Sequence, residues 1–210
     1  MCSGSYTYGY ANRLRRMFLG SMVVKADGQP ALAGWTICQV DSYGKLIWFE
    51  VMKDGETSIA LLTLGNSEVI ETSHGSLAVT RTRVITTDEL LCYMAPLGPD
   101  VLSIPLTMAY LRNYRLNHPN AQIGTQLLKQ TFVAGTTNEL RAEILHSAGL
   151  SPFVRFGAVT EDELIRLHTS IVSLFKRVRE PLVHRQTRVH SGEVRSGVLG
   201  GQKVYYMQSD

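Results

Sequence analysis

The sharpest change of pattern in the chain falls at Pro96-Leu97-Gly98-Pro99, four residues that favour a stiff turn and continue neither helix nor strand. Before them the apolar residues tend to alternate, as one face of a sheet requires. After them they recur every three to four positions, as one face of a helix requires. A chain built this way is expected to be α+β, with a β-rich, sandwich-like lobe first and a helical lobe second. We expect lobes over 1–95 and 96–180, and a separate tail over 181–210.

In the first half, Ala11–Leu19 reads as a short helix with Leu14, Met17 and Phe18 on one face and Arg13, Arg15 and Arg16 on the other. Gly20 is placed to end it. Residues 37–52 read as two strands around a Ser-Tyr-Gly turn, since Trp48, Phe49 and Val51 favour strands. Asp54-Gly55 signals another turn before a buried strand, Ile59–Leu64, and two weaker strands are expected between Glu68 and Val84.

In the second half, helices are expected over Leu106–Leu116, around Ile123, Leu127 and Leu128, and from Leu140 to Ala148, ended by Gly149. The last helix carries the clearest start signal, Thr160-x-x-Glu163. Its buried stripe is Leu164, Leu167, Ile171, Leu174, Phe175 and Val178, and Pro181 stops it. The tail, with Ser191-Gly192 and Gly200-Gly201, reads as a small hairpin.

The 210 residues are 44% apolar and 19% charged, enough apolar material for real cores and too little charge for wholesale disorder. A net charge of +3 does not by itself mark a nucleic-acid binder. Its distribution says more. Arg13, Arg15 and Arg16 stand near one end. Lys176, Arg177, Arg179, Arg185, Arg188, Arg195 and Lys203 stand near the other, opposed by Glu180 and Glu193. For any single run a solvated face is the usual explanation, but basic ends around a neutral middle are what a phosphate-gripping cleft would need. Cys2, Cys38 and Cys92 have no C-x-x-C spacing, so reduced thiols are expected rather than a disulfide framework or a cysteine zinc site. No apolar run reaches membrane-spanning length, and the first twenty residues are not signal-like. A cytoplasmic or nuclear protein, monomeric by default and without a membrane partner, is the expectation.

The most informative stretch is Gln130 to Pro152. Between two helices it places Ala134-Gly135-Thr136-Thr137-Asn138, a glycine turn that permits close backbone approach, ahead of a helix whose first N–H groups can hold a phosphate. An ordinary capped core helix would look much the same. With Leu127-Leu128-Lys129-Gln130 before it and the Thr160 helix after it, the stretch resembles the helix-two-turn-helix module of the formamidopyrimidine-DNA glycosylase and endonuclease VIII family. The family pattern there is LL-x-Q-x-x-x-AG-x-x-N-x-x-x-x-E-x-L-x-x-AG-x-x-P. The matching positions include Asn138, Glu143, Leu145, Ala148, Gly149 and Pro152, and Leu97-Gly98-Pro99-Asp100 matches the usual connector.

The resemblance implies double-stranded DNA, damaged or abasic, as partner, no cofactor, and Asn138 and Gly135 as DNA-binding residues. Tyr43-Gly44-Lys45-Leu46 is similar to a family hairpin whose lysine grips the phosphate backbone, which makes Lys45 a DNA-binding and catalytic candidate. Gly200-Gly201-Gln202-Lys203-Val204-Tyr205-Tyr206 is similar to the C-terminal β-finger, with Gln202 where the family has a phosphate-binding arginine. Arg195 or Lys203 is then the candidate replacement. The finger's zinc cysteines are absent and only His184 and His190 stand near, so a zincless finger is expected and no metal is assigned.

The amino terminus departs from the family. A Pro-Glu pair there supplies an attacking amine and a proton-handling carboxylate; this chain reads Met1-Cys2-Ser3-Gly4. Removal of Met1 would expose a Cys2 α-amine with a reference pKa of about 8, able to condense with an abasic-site aldehyde. Ser3 cannot act as the general acid, a loss of about 10²–10⁴-fold. The family's H-L-G-M-S-G loop appears as Thr63-Leu64-Gly65-Asn66-Ser67-Glu68, and its R-x-F-G wedge has no counterpart near Arg81 or Arg83. The expected activity is a DNA glycosylase or abasic-site lyase of base-excision repair. The alternatives are a non-cleaving relative that binds damaged or bent DNA, and an RNA-binding module.

Overall fold

The computed structural model describes residues 4–178, 194–199 and 202–207, and divides the chain into two compact units, Met1–Leu97 and Gly98–Asp210.

The first unit opens with α1, Gly4–Phe18. Thr7, Ala11, Leu14 and Phe18, spaced by four, three and four residues, form its buried stripe. This corrects two expectations. The helix starts at Gly4 rather than Ala11, because the stripe continues back through the polar but fully packed Thr7. Met17 lies outside the stripe and is 42% exposed. Gly20, at φ 79°, turns the chain out of the helix.

One antiparallel sheet follows: β1 Val23–Ala26, β2 Thr36–Tyr43, β3 Leu46–Lys53, β4 Glu56–Thr72 and β5 Gly75–Ile85. Its organiser is β4. The first half of β4 pairs with β3, the second half with β1, and β5 runs beside both. Leu64 and Glu68 both sit opposite Val79, so residues 65–67 bulge out of the ladder. A bulge bends a strand and increases its twist. The bent sheet folds over until Met22 bridges to Thr36, joining β1 to β2 in a sandwich-like enclosure. Inside lie Phe18, Val40, Ile47, Phe49, Val51, Ile70 and Val79. The separate strands expected over 59–64 and after Glu68 are therefore one strand, in which Gly65-Asn66-Ser67 is a bulge and not a turn. The hairpin at Asp54-Gly55 has both residues at positive φ, 52° and 84°, the two-residue geometry that matches strand twist. A further helix, α2 (Thr87–Met94), lays Leu90 on Ile59, Leu61 and Ile85, on the sheet face away from the main core.

The second unit holds α3 Met108–Asn117, α4 Ile123–Gln126, α5 Asn138–Ala148 and α6 Glu161–Val178. Helix α6 starts as its sequence demands. The Thr160 N–H donates to Glu163 Oε2 at 2.8 Å, and the Glu163 N–H donates to Thr160 Oγ1 at 3.3 Å. Leu164, Leu167, Ile171, Leu174 and Phe175 are all buried. Helix α5 ends at Gly149, whose φ of 64° is the left-handed cap that glycine adopts most easily. Only α4 is much shorter than the apolar spacing suggested, because the chain tightens into turns after Gln126. The core is a continuous cluster from Leu111 through Phe132 and Ile144 to Ile171. Within it Phe132 stacks on Tyr110 and meets Tyr114 and Phe156, with ring centroids 4.3–6.2 Å away.

Two strands complete the description, β6 Val194–Leu199 and β7 Gln202–Met207, paired antiparallel, with β7 beside α5. The rest of the expected finger, His184 and His190 included, lies outside the described residues. Among the described residues no helix is long and apolar enough to cross a membrane.

Candidate nucleic-acid interface

The turn between α4 and α5 is built around Gln130. Its Oε1 accepts the Gly135 N–H at 2.8 Å, and its Nε2 donates to the Thr136 carbonyl at 3.0 Å and the Leu128 carbonyl at 3.3 Å. Gly135 sits at φ 91°, a conformation that a β-carbon disfavours. Thr136 Oγ1 donates to the Val133 carbonyl, while Thr137 Oγ1 accepts the Leu140 N–H at 3.2 Å and caps α5.

These bonds narrow the site. Ala134 to Thr137 are buried, and the Gly135 N–H is spent on Gln130 rather than directed outward. Gly135 contributes the shape of the turn and not its amide. Asn138 is the first residue of α5, not a residue ahead of it, and its side chain is half-buried. The start of α5, with Asn138 as its first residue, is the positive end of the helix dipole, which favours an anion.

One residue of this site is absent from the sequence-based expectation. Arg141, one turn into α5, is fully buried at 0% exposure. Its Nη2 donates to Asn138 Oδ1, and its Nη1 donates to the Gly124 carbonyl at 3.3 Å. Burial pulls its pKa below the ordinary value. The available signal was an arginine set among Leu140, Ile144 and Leu145, inside the buried face of a short helix.

Glu139 is exposed in the same first turn, next to Asn138. A carboxylate there favours the helix but repels a phosphodiester. Glu139→Gln is therefore expected to tighten duplex binding about two- to fivefold at low salt, an effect that fades as salt is added. Fluorescence anisotropy at two salt concentrations checks this, and an unchanged affinity at both would place the phosphate elsewhere.

Lys45 occupies the two-residue turn Gly44-Lys45 between β2 and β3, with Gly44 at φ 57° and Tyr43 paired to Leu46. The side chain is exposed at the tip of a rigid hairpin. Arg15 is committed to Asp41 at 2.6 Å and to the Val40 carbonyl, whereas Arg13 and Arg16 are exposed. Arg81 and Arg83 are exposed on β5, and Arg83 Nη1 donates to Tyr93 Oη at 3.1 Å. In the tail, Arg195 pairs with Tyr206, Leu199 with Gln202 and Val198 with Lys203. Cys2 lies outside the described residues.

No protein-family profile matches the chain. Among curated proteins, it is 37% identical over 84 residues to the formamidopyrimidine-DNA glycosylase of Prochlorococcus marinus strain MIT 9515, covering 40% of this chain and 28% of that one. It is 33% identical over 121 residues to the formamidopyrimidine-DNA glycosylase of Thermosynechococcus vestitus, covering 56% and 41%. The chain thus spans less than half the length of these relatives. Among solved structures, Lactococcus lactis formamidopyrimidine-DNA glycosylase in complex with DNA containing an abasic site matches with a TM-score of 0.82 at 16% identity, over 98% of each chain. MutM in complex with DNA containing carbocyclic 8-oxoguanine matches with the same TM-score and identity, over 99% of this chain and all of that one. The chain has the fold of these glycosylases.

Proposed function

We propose that this chain binds damaged or abasic double-stranded DNA as a base-excision repair protein, with glycosylase or abasic-site lyase activity. The observation that carries the reading is the turn at Asn138, which a loop tied through the Gln130 side chain sets at the start of a helix. The structures of similar fold with abasic-site and 8-oxoguanine DNA support the same ligand class. Asn138 and the start of α5 meet one phosphate, Lys45 meets the backbone from its hairpin, and Arg195, Gln202 and Lys203 are the tail's candidate contacts.

Chemistry, in this reading, belongs to the Cys2 α-amine after Met1 is removed. The amine nitrogen attacks the open-chain aldehyde at C1′, loss of water gives an imine, and that imine acidifies the C2′ proton whose removal expels the 3′ phosphate. Ser3 supplies no carboxylate for proton transfer to a departing base. That favours lyase action over base excision, and it supports a second reading, a relative that binds lesions without cutting.

Duplexes carrying an abasic site or 8-oxoguanine separate the two. Strand cleavage, with a borohydride-trapped adduct on the amino-terminal peptide, supports the enzyme. Tight binding with neither supports the non-cleaving relative, and no preference for duplex DNA overturns both.

Lys45→Ala is expected to weaken binding to every duplex about three- to tenfold, whatever the lesion, and to lower the slope of log K against log salt by about one. Salt titration by anisotropy measures this. An unchanged slope removes Lys45 from the interface.

A further inference from the structure

We propose that the outer side of α1 and the turn that leads from it into β1 form a docking surface for an acidic peptide segment of another protein, one that carries apolar side chains among its carboxylates. Arg13, Arg16, Met17, Leu19, Met22 and Val24 make this surface, which takes no part in the DNA contacts proposed above.

The surface follows from local geometry. Thr7, Ala11, Leu14 and Phe18 bury one side of α1, and Arg13, Arg16 and Met17, three and four residues apart, are exposed away from it. The chain then closes a tight turn, in which the Ser21 N–H donates to the Phe18 carbonyl at 3.0 Å and Leu19 stands near the tip. Ser21 and Val23 face inward as the chain enters β1, so Met22 and Val24 share the outer side. Met17, Leu19, Met22 and Val24 are 42–54% exposed. Elsewhere among the described residues, exposed large apolar side chains stand singly or in pairs along the chain; here four fall within eight positions. Contiguous exposed apolar groups mark interaction sites, and methionine and arginine are both enriched in protein interfaces.

Charge selects the occupant. Residues 1–26 contain no Asp or Glu. Arg15 is held by Asp41 and Lys25 by Asp27, whereas Arg13 and Arg16 have no carboxylate within ion-pair distance among the described residues. A second copy in a symmetric pair would set this patch against itself, arginine against arginine, with no acid between them. An anionic bilayer would meet two cations, short of the roughly four to eight that lipid-binding clusters carry. A nucleic-acid backbone would suit the arginines but leave four apolar side chains facing phosphates. A peptide with carboxylates beside apolar side chains satisfies both halves of the patch.

Selection of random short peptides on the wild-type protein tests this. The recovered peptides should be rich in Asp and Glu interspersed with Leu, Ile or Phe. Their affinity should fall at least about tenfold for Leu19→Asp combined with Met22→Asp, and likewise for Arg13→Glu combined with Arg16→Glu. Should either variant not fold, methyl-labelled methionine in the wild-type chain decides. The Met17 and Met22 methyl signals should shift as peptide is added, while that of Met52, 43% exposed on β3, should not.

Peptides that lack acidic residues, that bind both variants as well as the wild type, or that leave Met17 and Met22 unshifted overturn the proposal. Binding of the wild-type protein to phosphatidylserine vesicles that Leu19→Asp with Met22→Asp abolishes would assign the surface to a bilayer instead. Self-association lost in the same variant would assign it to a second copy, and duplex affinity lost there would assign it to nucleic acid.

Discussion

Phe132→Ala is expected to cost the second unit about 3–5 kcal/mol, enough to leave it unfolded at moderate temperature. Phe132 has no exposed surface. Its ring fills the space between Tyr110, Tyr114 and Phe156, at centroid distances of 6.2, 4.3 and 5.5 Å. Those contacts exceed simple area burial by about 0.5–1.5 kcal/mol per aromatic pair. The neighbours cannot close over the gap. Tyr110 is tied by its hydroxyl to the Phe132 carbonyl at 2.7 Å, and Tyr114 by its hydroxyl to Gln126 Oε1 at 2.7 Å. A cavity that cannot collapse keeps its full cost.

The first unit has its own core around Phe49, so the loss should be confined to one unit. Hydrogen exchange is the measurement. Protection should drop across α3, α5 and α6 while β2 and β3 keep theirs. An equal loss in both units would mean that they unfold as one cooperative body.

The order of elements, strands first and helices after, was readable because the two periodicities are physically distinct. Helix α6 was readable to its first residue, since Thr160 and Glu163 make both bonds of the capping box. The failures share a cause in tertiary override. Strand β4 looks broken at Gly65-Asn66-Ser67 because local chemistry there says turn, yet β5 continues past on the other side and holds the strand together. The start of α1 was hidden because Thr7 is polar, and nothing in its own chemistry announces that it is 2% exposed. Helix α2 was missed despite carrying a signal, the Thr86-x-x-Glu89 box, whose bonds of 2.7 and 3.2 Å are both present.

The site shows the same division. Asn138 stood out through the pattern around it. The two residues that hold its surroundings, Gln130 and Arg141, act through side-chain bonds across five and three residues, which periodicity does not register. Gly135 was singled out for close backbone approach, and its amide proved to be used internally. A glycine in a turn signals backbone freedom, whereas the destination of its N–H depends on a side chain elsewhere.

Gly98→Ala is the second large effect, and its cause is space rather than dihedral angle. A β-carbon at position 98 would lie 2.3 Å from the Phe132 carbonyl oxygen, 2.5 Å from its carbon and 2.8 Å from the Thr131 oxygen. All three are backbone atoms, so no rotamer change relieves the overlap. The connector or the 131–132 segment must shift. Either movement strains the bonds that join them, Gly98 N–H to the Gln130 carbonyl at 2.8 Å and Ala134 N–H to the Pro99 carbonyl at 3.1 Å. The expected cost is about 2–4 kcal/mol, from overpacking plus strained buried hydrogen bonds. It should appear as a lower denaturant midpoint with an unchanged m-value.

This substitution also reaches the site. Gln130 receives the connector through its carbonyl and holds the Gly135 turn through its side chain, so displacing its backbone moves the frame on which Asn138 is set. Under conditions where the variant is still folded, duplex affinity should fall along with stability, although Gly98 presents no side chain to DNA. A folded variant within about 0.5 kcal/mol of wild type, the usual range for surface substitutions, would show that the connector adjusts freely and does not brace the turn.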